Sequence, residues 1–220
     1  GWLCRACSRA HGNRIGCGSS MRKNVAAALI AGVAALSLTL TGCSSDPLAE
    51  QYREGSNKNY IAGDGSITEI NLENRGDVIS FTGTTETGET VNSADYLGNV
   101  LVVNFWYAGC APCRAEAPDL EQVYQETSSS GVNFLGVNVR DQAPTIDTFN
   151  SRFGITYPSV IDQDGQMQLA FASQVPPNAV PTTLILDAQG RVAARILGQL
   201  KDPSILKTLV TDIAKESGTN

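Results

Sequence analysis

The chain has 220 residues, 42% hydrophobic and 17% charged, with a formal net charge of -6, enough for one domain of ordinary size with extensions. Five of the 16 basic residues (Arg5, Arg9, Arg14, Arg22 and Lys23) precede residue 43 and all 22 acidic residues follow it, so the remainder carries -11. That charge repels nucleic acid, which is excluded as a partner.

Residues 1–20 hold Cys4, Cys7, Cys17 and the only histidine, His11. Four such ligands are the makings of a zinc knuckle, but the stretch has too few large apolar residues to fold alone. It is expected to be a spurious upstream extension. Residues 21–42 have the layout of a secretory signal: Arg22 and Lys23, then sixteen uncharged residues from Val25 to Leu40, then small residues. The apolar run is shorter than the roughly 20 residues of a stable span. Its end, Leu40-Thr41-Gly42-Cys43, resembles the lipobox of bacterial lipoproteins. The resemblance implies diacylglyceryl attachment at Cys43, with a plain signal peptide or a retained membrane helix as the alternatives. Residues 43–76 are rich in Gly, Asn, Ser and Glu and are expected to form a flexible tether.

A folded domain is expected over 77–216. Val78 to Phe81 is read as an edge strand, the Thr/Gly/Glu run after it as a hairpin or loop, and Ser93 to Leu97 as a helical turn. Val100 to Trp106 is a nearly continuous run of strand formers, as in a central strand covered on both faces. A helix follows from Pro112 or Cys113 to about Ser128, stopped by Gly131, and then a second apolar strand, Asn133 to Val139. Thr145 to Phe153 is a helix closed by Gly154. Val160 to Asp162 and Met167 to Ala170 give weaker strand or loop signals. Pro181 to Asp187 and Arg191 to Ile196, joined by a turn at Asp187 to Gly190, form a β-hairpin. Pro203 to Lys215 makes a closing helix with apolar residues at helical spacing. This order defines an α/β fold, a central mixed β-sheet flanked by helices.

Cys110-Ala111-Pro112-Cys113 falls where the buried strand gives way to the helix. There the unpaired N–H groups and the helix dipole favour a thiolate, the attacking form in disulfide exchange. Cys113, one turn later, is placed to resolve the mixed disulfide. Pro112 restricts the loop and tolerates loss of its N–H near a helix start. A structural bridge would close too small a loop to constrain the unfolded chain much. A metal site would want two further ligands, and beyond Cys43 there is no other cysteine and no histidine, so no metal and no cofactor is expected.

The stretch Asn104-Phe105-Trp106-Tyr107-Ala108-Gly109-Cys110-Ala111-Pro112-Cys113-Arg114-Ala115-Glu116-Ala117-Pro118, with Val180-Pro181-Thr182 downstream, resembles the thioredoxin-like family. Within it, the resemblance is to the exported thiol-disulfide oxidoreductases of TlpA, ResA and DsbE type, and it runs from about Asp77 to Ile213. It implies a thioredoxin-like fold, with Cys110 as attacking and Cys113 as resolving thiol. Pro181 maps onto the family's cis-proline, leaving Val180 to present backbone polar groups to substrate, with an ordinary turn proline as the alternative. Glu116 maps onto a glutamate that affects thiol acidity and proton transfer. A base and a repelling charge act in opposite directions on a thiol, so the sign stays open, as does a solvated glutamate. Trp106 is expected as an aromatic wall near the dithiol, or else a core tryptophan. Two positions depart from common patterns: Gly109 stands where a tryptophan often precedes the first cysteine, and Asn104 where thioredoxin has a buried aspartate.

The resemblance implies exchange with exported protein or apocytochrome thiols and disulfides, reset by a membrane-side dithiol electron donor. The expected location is the outer face of the bacterial cytoplasmic membrane, held by lipidated Cys43. A reductant, as in cytochrome c maturation, is the first reading; a disulfide-donating oxidase or isomerase uses the same atoms. A thiol peroxidase is disfavoured by Tyr107 where such enzymes carry Thr, and a partner-binding lipoprotein without catalysis by the intact dithiol.

Overall fold

The computed structural model describes residues 66–176, 179–216 and 218. The signal segment, Cys43 and the cysteines before Met21 lie outside them. Among the described residues no helix is long and apolar enough to cross a membrane.

The organising element is β4 (Val100–Trp106), seven residues all buried. Its apolar run is explained by its neighbours: β5 (Val132–Asn138) pairs with it in parallel and β7 (Thr182–Leu186) antiparallel. The six-stranded sheet is completed by β6 (Ser159–Ile161) beside β5, β8 (Val192–Leu197) beside β7, and β1 (Ile67–Glu69) beside β8, giving the order β1-β8-β7-β4-β5-β6. A strand so placed must bury both faces. On one face Val102 and Trp106 share a cluster with residues of α1 (Ala111–Thr127), α2 (Ala143–Phe153) and α4 (Pro203–Glu216). On the other, Leu101, Val103 and Phe105 pack with Ile79, Phe81, Phe171 and Met167 of the short α3 (Gln166–Ala170). A separate hairpin, β2 (Thr82–Thr84) with β3 (Thr90–Asn92), is bridged to β6 through Thr85 and Val160, and the predicted turn at Ser93 is a 3-10 helix, Ser93–Tyr96.

Three local expectations are corrected. The tether was expected to reach residue 76, yet Ile67–Glu69 is an edge strand in register with Ala194 to Ile196; three residues in a polar stretch are too few to show alternation. Val78 to Phe81 is not a strand. Ile79 and Phe81 are buried, but the Ile79 N–H donates to the Gly190 carbonyl and the Phe81 carbonyl accepts from Ser93 N–H, so its apolar signal reports packing rather than a ladder. Met167 to Ala170 is helical because the buried Asp162 carboxylate accepts from the N–H groups of Met167 (2.8 Å) and Gln168 (2.9 Å), capping that turn.

Candidate active site

Where β4 ends, the chain turns through Tyr107 to Gly109 and enters α1 with Cys110 as its N-cap. The Cys110 sulfur accepts from Cys113 N–H at 3.2 Å, so the helix's unpaired amides point at it. The two sulfurs are bonded, 2.07 Å apart. Pro112 occupies the first turn, where no N–H is needed. Cys110 is 4% exposed and Cys113 2%, with exposed Gly109 and Ala111 flanking Cys110, so an incoming group reaches Cys110 first.

The turn before Cys110 is held from the β5–α2 loop. Ala108 N–H donates to the Asp141 carboxylate at 2.6 Å, and the Asn138 amide donates to that carboxylate at 3.0 Å. Arg114 donates to the Ala108 carbonyl (3.0 Å), and the Arg140 guanidinium lies 4.1 Å over the Tyr107 ring. A side chain begun at Gly109 would meet that ring at 3.3 Å. Tyr107 therefore fills the space beside the position where related motifs carry a tryptophan.

Glu116 is fully buried, which overturns the solvated alternative. The Asn104 amide donates to one carboxylate oxygen at 3.0 Å and Leu200 N–H to the other at 2.7 Å. Burial pushes the carboxyl up to about 7, with the two hydrogen bonds opposing the rise. Asn104 thus positions a carboxyl instead of replacing one, and it also donates to Thr183 Oγ1 (3.1 Å). Neither that role nor Leu200, 84 residues from Glu116, was visible in the sequence; the only signal was a polar residue within an apolar strand.

Trp106 is corrected as a substrate-facing wall: it is a buried residue behind the dithiol. Its Nε1 donates to Ser159 Oγ at 3.3 Å and its ring lies 4.2 Å from that of Phe149. With Cys113, Asn104 and Tyr157 it lines a cavity of about 10 Å³. The Val180-Pro181 bond is cis, and Val180 packs against the apolar cluster that contains both cysteines.

A dithiol at a strand-to-helix switch, a buried carboxyl on the same helix and a cis-proline loop at the same end of a mixed sheet define a thioredoxin-like redox protein. More particularly, residues 75–195 match the AhpC/TSA family, and the chain belongs to it. It is 36% identical over 115 residues to the thiol-disulfide oxidoreductase ResA of Geobacillus thermodenitrificans, covering 52% of this chain and 64% of that protein. The chain thus spans slightly under two thirds of the length of that curated relative. A secreted thiol-disulfide isomerase from Corynebacterium glutamicum superposes with a TM-score of 0.62 at 27% identity, over 71% of this chain and 98% of that one. A DsbF homologue from Corynebacterium diphtheriae gives 0.60 at 31% identity, over 72% and 99%.

Proposed function

We propose that the chain is an exported thiol-disulfide oxidoreductase acting by dithiol exchange, with the reductive direction as its main work. The observation that carries this reading is the bonded Cys110–Cys113 pair at the start of α1. In the reduced protein the Cys110 thiolate attacks a substrate disulfide, forming a mixed disulfide and releasing one substrate thiolate, which takes a proton from solvent. Cys113 then gives up its proton, attacks Cys110 Sγ and releases the second substrate thiolate. Two electrons pass to the substrate and the Cys110–Cys113 disulfide remains, to be reset by a membrane-side dithiol. Glu116, with its carboxyl near 7, is matched to accept the Cys113 proton at neutral pH. Exported apocytochrome disulfides, reduced to thiols, are the substrate this reading assigns, and lipidated Cys43 the anchor.

The opposite direction has one observation in its favour, the similarity to the C. glutamicum protein, itself a secreted thiol-disulfide isomerase. Equilibration with glutathione and dithiothreitol buffers separates the two. A Cys110–Cys113 midpoint near or below about -270 mV supports the reductant, and one near about -120 mV overturns it. The mass of the N-terminal peptide from membrane fractions tests acylation of Cys43.

A further inference from the structure

We propose that Asp141 and Arg114 are a pair of positioning residues, opposite charges seated on the backbone before Cys110 that set how readily its thiol ionises. This deepens the thiol-disulfide reading and rests on it. Both polar groups of Ala108 are taken up by charged side chains from different elements. Its N–H donates to Asp141 Oδ2 of the β5–α2 loop at 2.6 Å, and its carbonyl accepts from Arg114 Nη1 of α1 at 3.0 Å. Asp141, Arg114 and Ala108 are each half-buried, so water screens these charges less than it screens an exposed pair.

The seat of the anion is built from the sheet. Asn138, the last residue of β5, is fully buried. Its amide donates to the same Asp141 Oδ2 at 3.0 Å, and its Oδ1 accepts from the N–H groups of Arg140 (3.0 Å) and Asp141 (2.7 Å). Trp106 pairs with Asn138, so the end of β5 fixes the carboxylate beside the end of β4. From there a hydrogen-bonded chain leads to the backbone of the nucleophile itself. The peptide unit whose N–H goes to Asp141 has the Tyr107 carbonyl at its other end, and that carbonyl accepts from Cys110 N–H at 3.1 Å. A carboxylate on one end of the unit polarises the other and strengthens the second bond.

On a Cys110 thiolate the two residues act with opposite signs. The carboxylate repels it and keeps the thiol protonated; the guanidinium attracts it. With about 3.8 Å between successive Cα atoms, charges seated on Ala108 lie on the order of 10 Å from the Cys110 sulfur. At an effective dielectric constant of about 20–80, one charge at that range moves the titration of a thiol by roughly 0.3–1 pH units. The other titratable and charged groups about Cys110 are Cys113 and Glu116 of α1, Tyr107 of the turn and Arg140 over its ring. Val180 and Pro181 bring none.

Asp141→Asn keeps an acceptor for Ala108 N–H, and Arg114→Gln keeps a donor for its carbonyl, so each removes a charge and spares the bond. The test follows initial alkylation of Cys110 by iodoacetamide in the reduced full chain from about pH 5 to 10, with the cysteines distinguished by fragment mass. Asp141→Asn should lower the Cys110 midpoint by about 0.3–1 pH units, and Arg114→Gln should raise it by a similar amount. Side chains that only brace the turn would move it the same way in both variants, or in neither. Shifts of one sign, shifts with the signs reversed, or either shift below about 0.2 pH units overturn the pair. Exchange with glutathione disulfide, measured on the same wild-type sample, judges the underlying reading separately. Wild type that reduces it keeps the thiol-disulfide reading whatever the shifts; wild type that fails to react removes that reading, and the pair with it.

Discussion

Two carboxylates are buried at opposite ends of the central strand, and they have opposite fates. Asp187 lies where β4 begins, since Leu101 pairs with its neighbour Leu186. It is 1% exposed, and Arg75 (3.0 Å) and Arg191 (2.8 Å) pair with it. Burial pushes its carboxyl up, but the Arg191 N–H, the Arg75 guanidinium and the Arg191 guanidinium together hold it below the ordinary value of 3.8. Glu116, equally buried near the end of β4, receives two neutral donors and no cation. Its carboxyl rises to about 7. Burial is common to both; the partner decides whether the group is a fixed anion or an exchangeable proton store. The first arrangement suits a latch and the second a carboxyl able to gain and lose a proton near neutral pH.

The largest effect should come from the dithiol that the Glu116 end serves. Cys110→Ser should abolish exchange, by at least about 10³-fold, leaving the 25 °C stability of the reduced fold little changed. Cys113→Ser should instead accumulate a mixed disulfide on Cys110, visible by intact mass. A trapped species on Cys113 in Cys110→Ser would reverse the assigned roles.

Next in size is Glu116→Gln. Loss of a general base typically costs about 10²–10⁴-fold; the exchange rate should fall towards that range and lose its inflection near pH 7. Stability gives an independent sign. Between about 4.5 and 7 the native carboxyl holds a proton that the unfolded chain has released, so unfolding free energy falls as pH rises through that window and is level above it. For a shift of this size the change is about 3 kcal/mol. Denaturant titrations of the reduced protein should show this slope, and the Gln variant should lack it. An unchanged slope would mean that Glu116 is not the buried proton store.

Arg75→Ala attacks the other carboxylate. It leaves Arg191 as the one guanidinium on Asp187 and should cost about 2–3 kcal/mol, less than the roughly 3–5 kcal/mol of leaving a buried charge with no partner, without moving the pH 7 inflection of exchange. The sign differs from Glu116: a depressed carboxyl contributes stability present above the unfolded value, and that stability is lost as pH falls towards and below about 3.8. The variant should therefore lose less stability than wild type on acidification below pH 4.

The contrast between the two carboxylates was only half legible in the sequence. Cys110 and Cys113 stand out because a run of strand formers, a dithiol spacing and a helical period meet within a few residues, and the same locality exposes β4, α1 and the β7–β8 hairpin. Glu116 could be placed on the dithiol side of α1 by spacing alone, yet its chemistry depends on Asn104 and on Leu200 N–H, which arrive from a strand and a loop far off in the chain. Asp187 was read as a turn residue. That is correct, since it accepts from Gln189 and Arg191 N–H, but the Arg75 partner lies 112 residues away in a segment assigned to the tether. Short elements failed for a related reason: β1 and α3 are held by partners (β8 and Asp162) and not by their own periodicity.

The smallest expected effect gives the comparison its sharpest control. The dithiol end does carry cations, Arg114 on the Ala108 carbonyl and Arg140 over Tyr107, so a distant guanidinium could in principle tune Glu116 as Arg75 tunes Asp187. Arg140 is exposed and its ring contact is worth about 0.5–1 kcal/mol. Its field at a buried group is weakened by solvent and salt. Arg140→Ala should therefore change exchange with glutathione disulfide less than about threefold and move the pH 7 inflection by less than about 0.3 pH units at physiological salt. The control is read at low salt as well, where a surviving long-range field is strongest. An inflection that climbs on removal of Arg140 would make the guanidinium a distant counterpart of Arg75, and desolvation alone would no longer account for the difference between the two carboxylates.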